Sequence, residues 1–188
     1  MNFYIIRHGE TSWNIEGRFQ GCTNNALNFT GIEQACIAAH KLKNTEIHCF
    51  YSSPLQRCYE TSQILNVFHH VPIYIDNRLK ERSLGSLEGK FYKDYSSSHF
   101  ISQIWDTKFP DFTIYNIETL THLLDRTQHF LKDVFYQYHH LDVNIGIVAH
   151  GSLNRALLMS LGNLDLANAP IENGQITFIQ SPKIENLL

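Results

Sequence analysis

Arg7-His8-Gly9-Glu10-Thr11 follows directly on a short apolar run, and His150-Gly151-Ser152 follows another. Arg57 comes soon after a third such run, in a segment that opens with Ser53-Pro54. Two arginines and two histidines brought to one point make a site for a compact dianion, because guanidinium forks match phosphate oxygens and imidazoles donate as well. One histidine then has a further use. A neutral imidazole beside bound phosphate can attack phosphorus and carry the phosphoryl group covalently, and flanking cations favour that neutral form. Such a reaction needs an acid for the leaving oxygen. Glu81, in Leu79-Lys80-Glu81-Arg82, is placed to supply it, with Glu10 and Glu88 as the other carboxylates able to serve.

For these residues to meet, the elements that carry them must end at one edge. Asn2 to Arg7, His48 to Tyr51, Pro72 to Ile75, Asn144 to Ala149 and Gln175 to Ile179 read as short aromatic and β-branched strands. Helical patterns separate most of them. Ile32, Ala35, Cys36 and Ala39 recur at helical spacing, preceded by a capping box of Thr30 with Glu33 or by Asn28 as an alternative cap. Ser53 is expected to cap the next helix, with Pro54 at its first position and Gln56 at its third, which puts Arg57 in the first turn. Glu118 to His140 reads as one long helix. The alternation predicts an α/β fold with a largely parallel sheet. Ligands of open α/β sheets bind outside the carboxyl ends of the strands, so Arg7, His8, Arg57 and His150 face one crevice if their strands are parallel neighbours. Residues 91–116 mix aromatics with serines and are expected to form a cap or lid.

Composition narrows the partners. The chain has 188 residues, 43% of them hydrophobic and 18% charged, enough for one domain spanning 1–188 with a sufficient core of its own. Fifteen Lys plus Arg against eighteen Asp plus Glu give a net charge of −3 without a basic stripe, so nucleic acid is not an expected partner. Cys22, Cys36, Cys49 and Cys58 form no CxxC pair, and neither they nor the paired histidines His69-His70 and His139-His140 show metal-ligand spacing. No apolar run approaches the ~18 residues of a membrane helix. A soluble cytoplasmic protein, monomer or homodimer, with reduced thiols is expected.

The residues also carry a resemblance. Arg7-His8-Gly9-Glu10-Thr11 with Trp13-Asn14, Arg18 and Gln20-Gly21, then Ser52-Ser53-Pro54-Leu55-x-Arg57 with Glu60-Thr61, resembles the histidine phosphatase (phosphoglycerate mutase-like) superfamily. Leu79-x-Glu81-x-x-x-Gly85-x-x-Glu88-Gly89, Ala149-His150-Gly151 and Asn173-Gly174-x-Ile176-Thr177 continue it in family order over nearly the whole chain. The resemblance implies a three-layer α/β/α fold and a phosphohistidine on His8. It further implies that Arg7, Arg57, His150 and Asn14 grip the phosphoryl oxygens, that Glu81 is the proton donor, and that neither metal nor cofactor is needed. Gln20, Gly21, Arg82 and Gly151, inside the same blocks, join Asn14 as candidate substrate contacts. Two stretches depart from the family pattern, Asn24-Asn25-Ala26-Leu27-Asn28 and Asn116-Ile117-Glu118-Thr119, and both bear on substrate choice more than on chemistry.

Three functional readings follow. The first is a metal-independent phosphomonoesterase acting on a small phosphorylated metabolite. The second is a cofactor-dependent phosphoglycerate mutase, which Glu81-Arg82-x-x-Gly85 resembles. Against it, the chain is shorter than those mutases, lacks their Arg-Arg-x-Tyr-x-x-Pro-Pro-Pro block, and carries only Lys90, Lys93 and Lys108 as cations between Gly85 and Glu118. The third is a binding module for phosphorylated ligands, which would most naturally have lost His8 or the acid. A metallohydrolase is weaker, since Arg7 and Arg57 would oppose a divalent cation in the same pocket.

Overall fold

The computed structural model describes residues 1–95 and 115–180. Five strands form one sheet: β1 (Asn2–Arg7), β2 (Ile47–Ser52), β3 (Ile73–Ile75), β4 (Asn144–Ala149) and β5 (Ile176–Gln180), in the order β3-β2-β4-β1-β5. The first four are mutually parallel and β5 runs antiparallel to β1. The mostly parallel sheet expected from the sequence is therefore present, with a reversed strand at one edge. Strand ends differ from the expected limits by a residue or so.

Because side chains alternate across a strand, each central strand feeds two cores. Phe3, Ile5, Cys49, Ile145 and Ile147 face one side, where they pack against α4 (Leu120–Tyr138) and α5 (Gly151–Ser160) through Leu123, Phe130, Leu131, Val134, Leu153 and Leu157. Ile6, Phe50 and Val148 face the other, against α2 (Phe29–Leu42) and α3 (Gln56–Leu65) through Ala38, Ala39, Leu42, Cys58 and Leu65. The result is an α/β/α sandwich of three layers. A short helix, α1 (Ser12–Glu16), follows β1, and another, α6 (Leu164–Asn168), follows α5. Among the described residues no helix is long and apolar enough to cross a membrane.

Two helix starts decide between or against sequence expectations. Asn28, rather than Thr30, caps α2: its Oδ1 accepts the Gly31 N–H at 2.7 Å. Ser53 does not cap α3, which begins only at Gln56 with Leu55 as an N-cap that makes no side-chain bond. The free N–H groups of that first turn are satisfied from a distant loop instead, Gln56 N–H by Asn24 Oδ1 (2.8 Å) and Arg57 N–H by the Asn25 carbonyl (3.1 Å). The long helix expected over Glu118 to His140 is α4, capped by Thr119.

Beside the sheet, Phe19, Leu84, Leu87 and Ile117 form a small separate cluster with Tyr95 and Tyr115 against it. Of the expected lid, residues 96–114 lie outside the described residues. Its beginning is seen: Phe91 bridges to Arg18, and the single turn Tyr92–Asp94 sets Tyr92 edge-on to Phe19 with ring centres 4.3 Å apart.

Tight packing in the central strands has a measurable consequence. A Cβ on Gly146, in β4, would stand 2.2 Å from the ring of Phe50 in the neighbouring strand. Overpacking of this kind costs ~1–3 kcal/mol, so Gly146→Ala should lower the urea midpoint by a corresponding amount. The same substitution should cost less in a Phe50→Leu background. Equal costs in the two backgrounds would show that the Phe50 ring is not the obstacle.

Candidate active site

Strand register brings the charged residues together. Arg7 pairs with Ala149 across β1 and β4, and Ser52 pairs with Val148 across β2 and β4, so the next residue of each strand emerges at one edge. Those residues are His8, His150 and Ser53. The His8 N–H donates to the Ala149 carbonyl (3.0 Å), and the Ser53 N–H to that of Val148 (3.1 Å).

His8 is buried and tightly held. Its carbonyl accepts from Asn173 Nδ2 (2.9 Å) and from the Gly174 N–H (3.2 Å), which gives the late Asn-Gly block a local purpose. Its Nδ1 lies 2.6 Å from the Gly9 carbonyl oxygen. A carbonyl only accepts, so Nδ1 carries the proton and Nε2 keeps a free lone pair. Gly9 in turn leaves no room for a side chain, since a Cβ there would meet the Gly31 carbonyl oxygen at 2.2 Å. Its N–H donates to Thr61 Oγ1 (3.1 Å), and that hydroxyl donates to the Arg57 carbonyl (2.7 Å). The strand end is thereby tied to the helix that carries Arg57.

Both arginines are aimed by backbone carbonyls. Arg57, wholly buried, donates from Nη1 to Thr23 O (2.7 Å) and from Nη2 to Gly21 O (2.8 Å), while Arg7 donates from Nη1 to Ile171 O. In each guanidinium the buried Nε has no acceptor among the described residues. An unsatisfied buried donor costs ~1–3 kcal/mol, more when charged, so two of them on flanking cations mark a place suited to an anion.

Glu81 lies across from them. A Cβ on Gly151 would be 3.8 Å from Arg7 Nε and 3.9 Å from Glu81 Oε2, so cation and carboxylate both border the space that the missing side chain leaves. The Glu81 carboxylate also accepts the Ser152 and Leu153 N–H groups at 3.2 and 3.3 Å, at the start of α5, and the Arg82 N–H at 2.8 Å. The other two carboxylates are engaged elsewhere. Glu10 accepts from Asn28 Nδ2 (2.9 Å). Glu88 takes the Cys22 and Leu84 N–H groups on one oxygen (2.9 and 3.1 Å) and the Thr23 hydroxyl on the other (2.8 Å).

His150 completes the cluster, wholly buried, with its ring centre 5.2 Å from that of His8. Burial first, and then the Arg57 cation, hold both imidazoles well below the ordinary histidine range. Both rings are therefore neutral near pH 7. Cys58, its sulfur 3.3 Å from His150 Nε2, is pushed far up by burial and stays a thiol.

The remaining candidates fall into two groups. Thr11 donates its backbone N–H to Asn14 Oδ1 (3.1 Å) and its hydroxyl to Gln20 Oε1 (3.0 Å), which directs both amide NH₂ groups away from Thr11. Gly21, at φ +52°, supplies a carbonyl to Arg57, and a Cβ there would run into Glu88 Oε1 at 2.2 Å. Arg82 is buried and donates from Nε to the Glu118 carbonyl at 2.6 Å. Cys22, half-buried, donates from sulfur to the Glu81 carbonyl (3.3 Å) and lines a cavity of about 600 Å³ with Asn77, Lys80, Glu118 and Arg126. Of the residues discussed above as a cluster, Glu81 alone borders that cavity. Arg126, which also lines the cavity, donates from Nη2 to the Glu81 carbonyl (3.2 Å). Ser53, Thr61 and Asn173 hold the cluster together, a role the sequence reading assigned to none of them. They lie inside the family-like blocks, and that was the available signal.

Comparison with known proteins gives the family. Residues 3–183 match the family model of the histidine phosphatase superfamily (branch 1). The chain is 33% identical over 178 residues to the uncharacterized phosphatase PhoE of Bacillus subtilis, covering 94% of this chain and 86% of that one. It is 32% identical to a metal-independent phosphoserine phosphatase of Arabidopsis thaliana, covering 84% of this chain and 67% of that one. Among solved structures, a mycobacterial glucosyl-3-phosphoglycerate phosphatase in complex with VO3 superposes with a TM-score of 0.84 at 22% identity, covering 95% and 90% of the two chains, a likeness of fold.

The neutral histidines make a prediction about stability. Their folded values lie below the unfolded one, so as pH falls below about 6.5 the unfolded chain takes up protons that the folded chain refuses. Stability from this source should be fully present above about pH 6.5 and fall as the solution is acidified, by up to ~1.4 kcal/mol per pH unit for each histidine. Urea denaturation of the ligand-free protein from about pH 7.5 down to about pH 5 checks it. His150→Gln should flatten the profile; an unchanged slope would assign the loss to other groups.

Proposed function

The chain belongs to the histidine phosphatase superfamily (branch 1), whose phosphatases hydrolyse phosphate monoesters, and on that premise we propose that it is a metal-independent phosphomonoesterase working through a phosphohistidine on His8. The observation that carries the reading is the neutral His8 ring, with its proton on the Gly9 side and a free Nε2, flanked by Arg7 and Arg57.

In the proposed reaction a small phosphorylated metabolite places its phosphoryl group between the two guanidinium groups. His8 Nε2 attacks phosphorus and forms an N–P bond, and the P–O bond to the alcohol breaks. The Gly9 carbonyl, 2.6 Å from Nδ1, stabilises the positive charge that develops on the ring. Arg7, Arg57 and His150 hold the phosphoryl oxygens through the transition state, which places positive charge there without a divalent ion. Asn14 and Gln20, their amide NH₂ groups free of Thr11, are further donors on the substrate side.

In this reading Glu81 gives a proton to the leaving oxygen. It then takes one back from the water that cleaves the N–P bond, and inorganic phosphate leaves His8 free. Its position by Gly151, close to the same point as Arg7, supports this role.

Rapid quench into alkaline denaturant with labelled substrate should trap a base-stable, acid-labile phosphoryl adduct that His8→Ala lacks, and EDTA should leave hydrolysis intact. Full activity in His8→Ala would refute the proposal, as would EDTA-sensitive activity restored by a divalent ion. Assaying 3-phosphoglycerate for isomerisation as well as phosphate release separates hydrolysis from mutase chemistry. The acid is tested by leaving group. Glu81→Gln should slow phosphorylation of His8 by an alkyl phosphate ~10²- to 10⁴-fold, and by p-nitrophenyl phosphate much less, since nitrophenolate departs without a proton. Equal slowing of both would remove Glu81 from that role.

A further inference from the structure

One ring nitrogen of His150 is already committed. Nε2 lies 2.8 Å from the Ser53 hydroxyl, and both side chains are wholly buried. Ser53 is fixed there by its own N–H, which donates to Val148 O in the strand that delivers His150. Its hydroxyl oxygen accepts the Leu55 N–H at 3.3 Å, which occupies a lone pair and leaves the hydroxyl proton in need of an acceptor. Two are in reach, His150 Nε2 and the sulfur of Cys58. Sulfur is the weaker acceptor, and the thiol gives its own proton to the Ala149 carbonyl at 3.3 Å.

We propose that Ser53 is a positioning residue for His150: its O–H donates to Nε2, which places the ring proton on Nδ1 and makes that N–H the donor to an oxygen of the bound anion. The opposite tautomer would spend the ring proton on Ser53 and turn the Nδ1 lone pair toward a dianion. Burial, Arg57, His8, Arg126 and Arg7 all disfavour a doubly protonated ring in the ligand-free site, so the tautomer decides which nitrogen donates. Cys58, 3.3 and 3.6 Å from the two ring nitrogens, flanks the ring without a strong bond to either. The use of this N–H on a transferring phosphoryl group rests on the function proposed above. The tautomer itself does not.

Long-range ¹H–¹⁵N correlation spectra of the ¹⁵N-histidine-labelled full-length protein at neutral pH read the tautomer directly, with His150 identified by the signals missing in His150→Gln. In the wild type Nδ1 should resonate as a protonated nitrogen and Nε2 as an unprotonated one; a protonated Nε2 overturns the proposal. Ser53→Ala should lose the preference for Nδ1–H and lower the rate of His8 phosphorylation by about tenfold or more, with a smaller change in KM. Ser53→Thr, which keeps the hydroxyl, should restore both. A wild-type tautomer in Ser53→Ala would also overturn the assignment, and if that variant does not fold the wild-type spectrum still decides. If the wild type shows the expected tautomer yet forms no phosphohistidine, the functional reading fails and the assignment of Ser53 stands.

Discussion

The site depends on the register in which β4 pairs with β1 on one side and with β2 on the other. With Arg7 opposite Ala149 and Ser52 opposite Val148, three strands run out at the same height, and the residues that follow them cannot avoid one another. A one-residue slip in either pairing would turn a strand over, sending its apolar side chains to the wrong face as well as moving its histidine or serine. The register that places the chemistry is thus the register that fills two cores, with Phe3 and Ile5 on one side of β1 and Ile6 on the other. Selection for burial and selection for the site act on one variable.

Around that edge, much of the loop structure serves to keep two guanidinium groups charged in a dry place. The carbonyls of Thr23 and Gly21 satisfy Arg57, and Glu88 holds the Gly21–Thr23 turn in position through Cys22 N–H and the Thr23 hydroxyl. Both cations are nevertheless pulled down by burial, the expected penalty for a charge withdrawn from water. The same penalty makes them useful, because a dianion bound between them would relieve it while losing few water contacts of theirs.

Much of this was legible in the sequence, and the parts that were not have identifiable causes. Apolar runs ending in Arg7-His8 and in His150 announce strand ends carrying polar groups, and the strand-end rule for open sheets then assembles the cluster without coordinates. Helix starts were less readable. Ser53-Pro54 has the local chemistry of a cap, yet the first turn of α3 is satisfied from Asn24 and Asn25, more than thirty residues upstream, and the Ser53 hydroxyl is claimed by His150. Local propensity cannot see such competition. The direction of β5 was equally hidden, since a run of β-branched residues looks the same in either orientation. Nor does spacing distinguish Glu81 from Glu10 and Glu88. Tertiary position separates them: Glu81 stands beside Gly151 near Arg7, whereas Glu10 bonds Asn28 and Glu88 bonds Cys22, Thr23 and Leu84.

On the proposed function, chemistry and selectivity would reside on different substructures. The groups assigned to phosphoryl transfer project from strand ends and helix starts that two large cores hold rigid. The loops beside them are joined through a small separate cluster, Phe19, Leu84, Leu87 and Ile117, and through Glu88. Both departures from the family pattern lie in loops. Asn24 to Asn28 supports the start of α3 and caps α2, and Glu118, from the other, pairs with Arg126 at 2.7 Å and takes Arg82 Nε on its carbonyl. Substitutions in either stretch can reshape the rim while the register of β1, β4 and β2 stays fixed. Changes of substrate within such a fold therefore need not disturb the histidine proposed to carry the phosphoryl group.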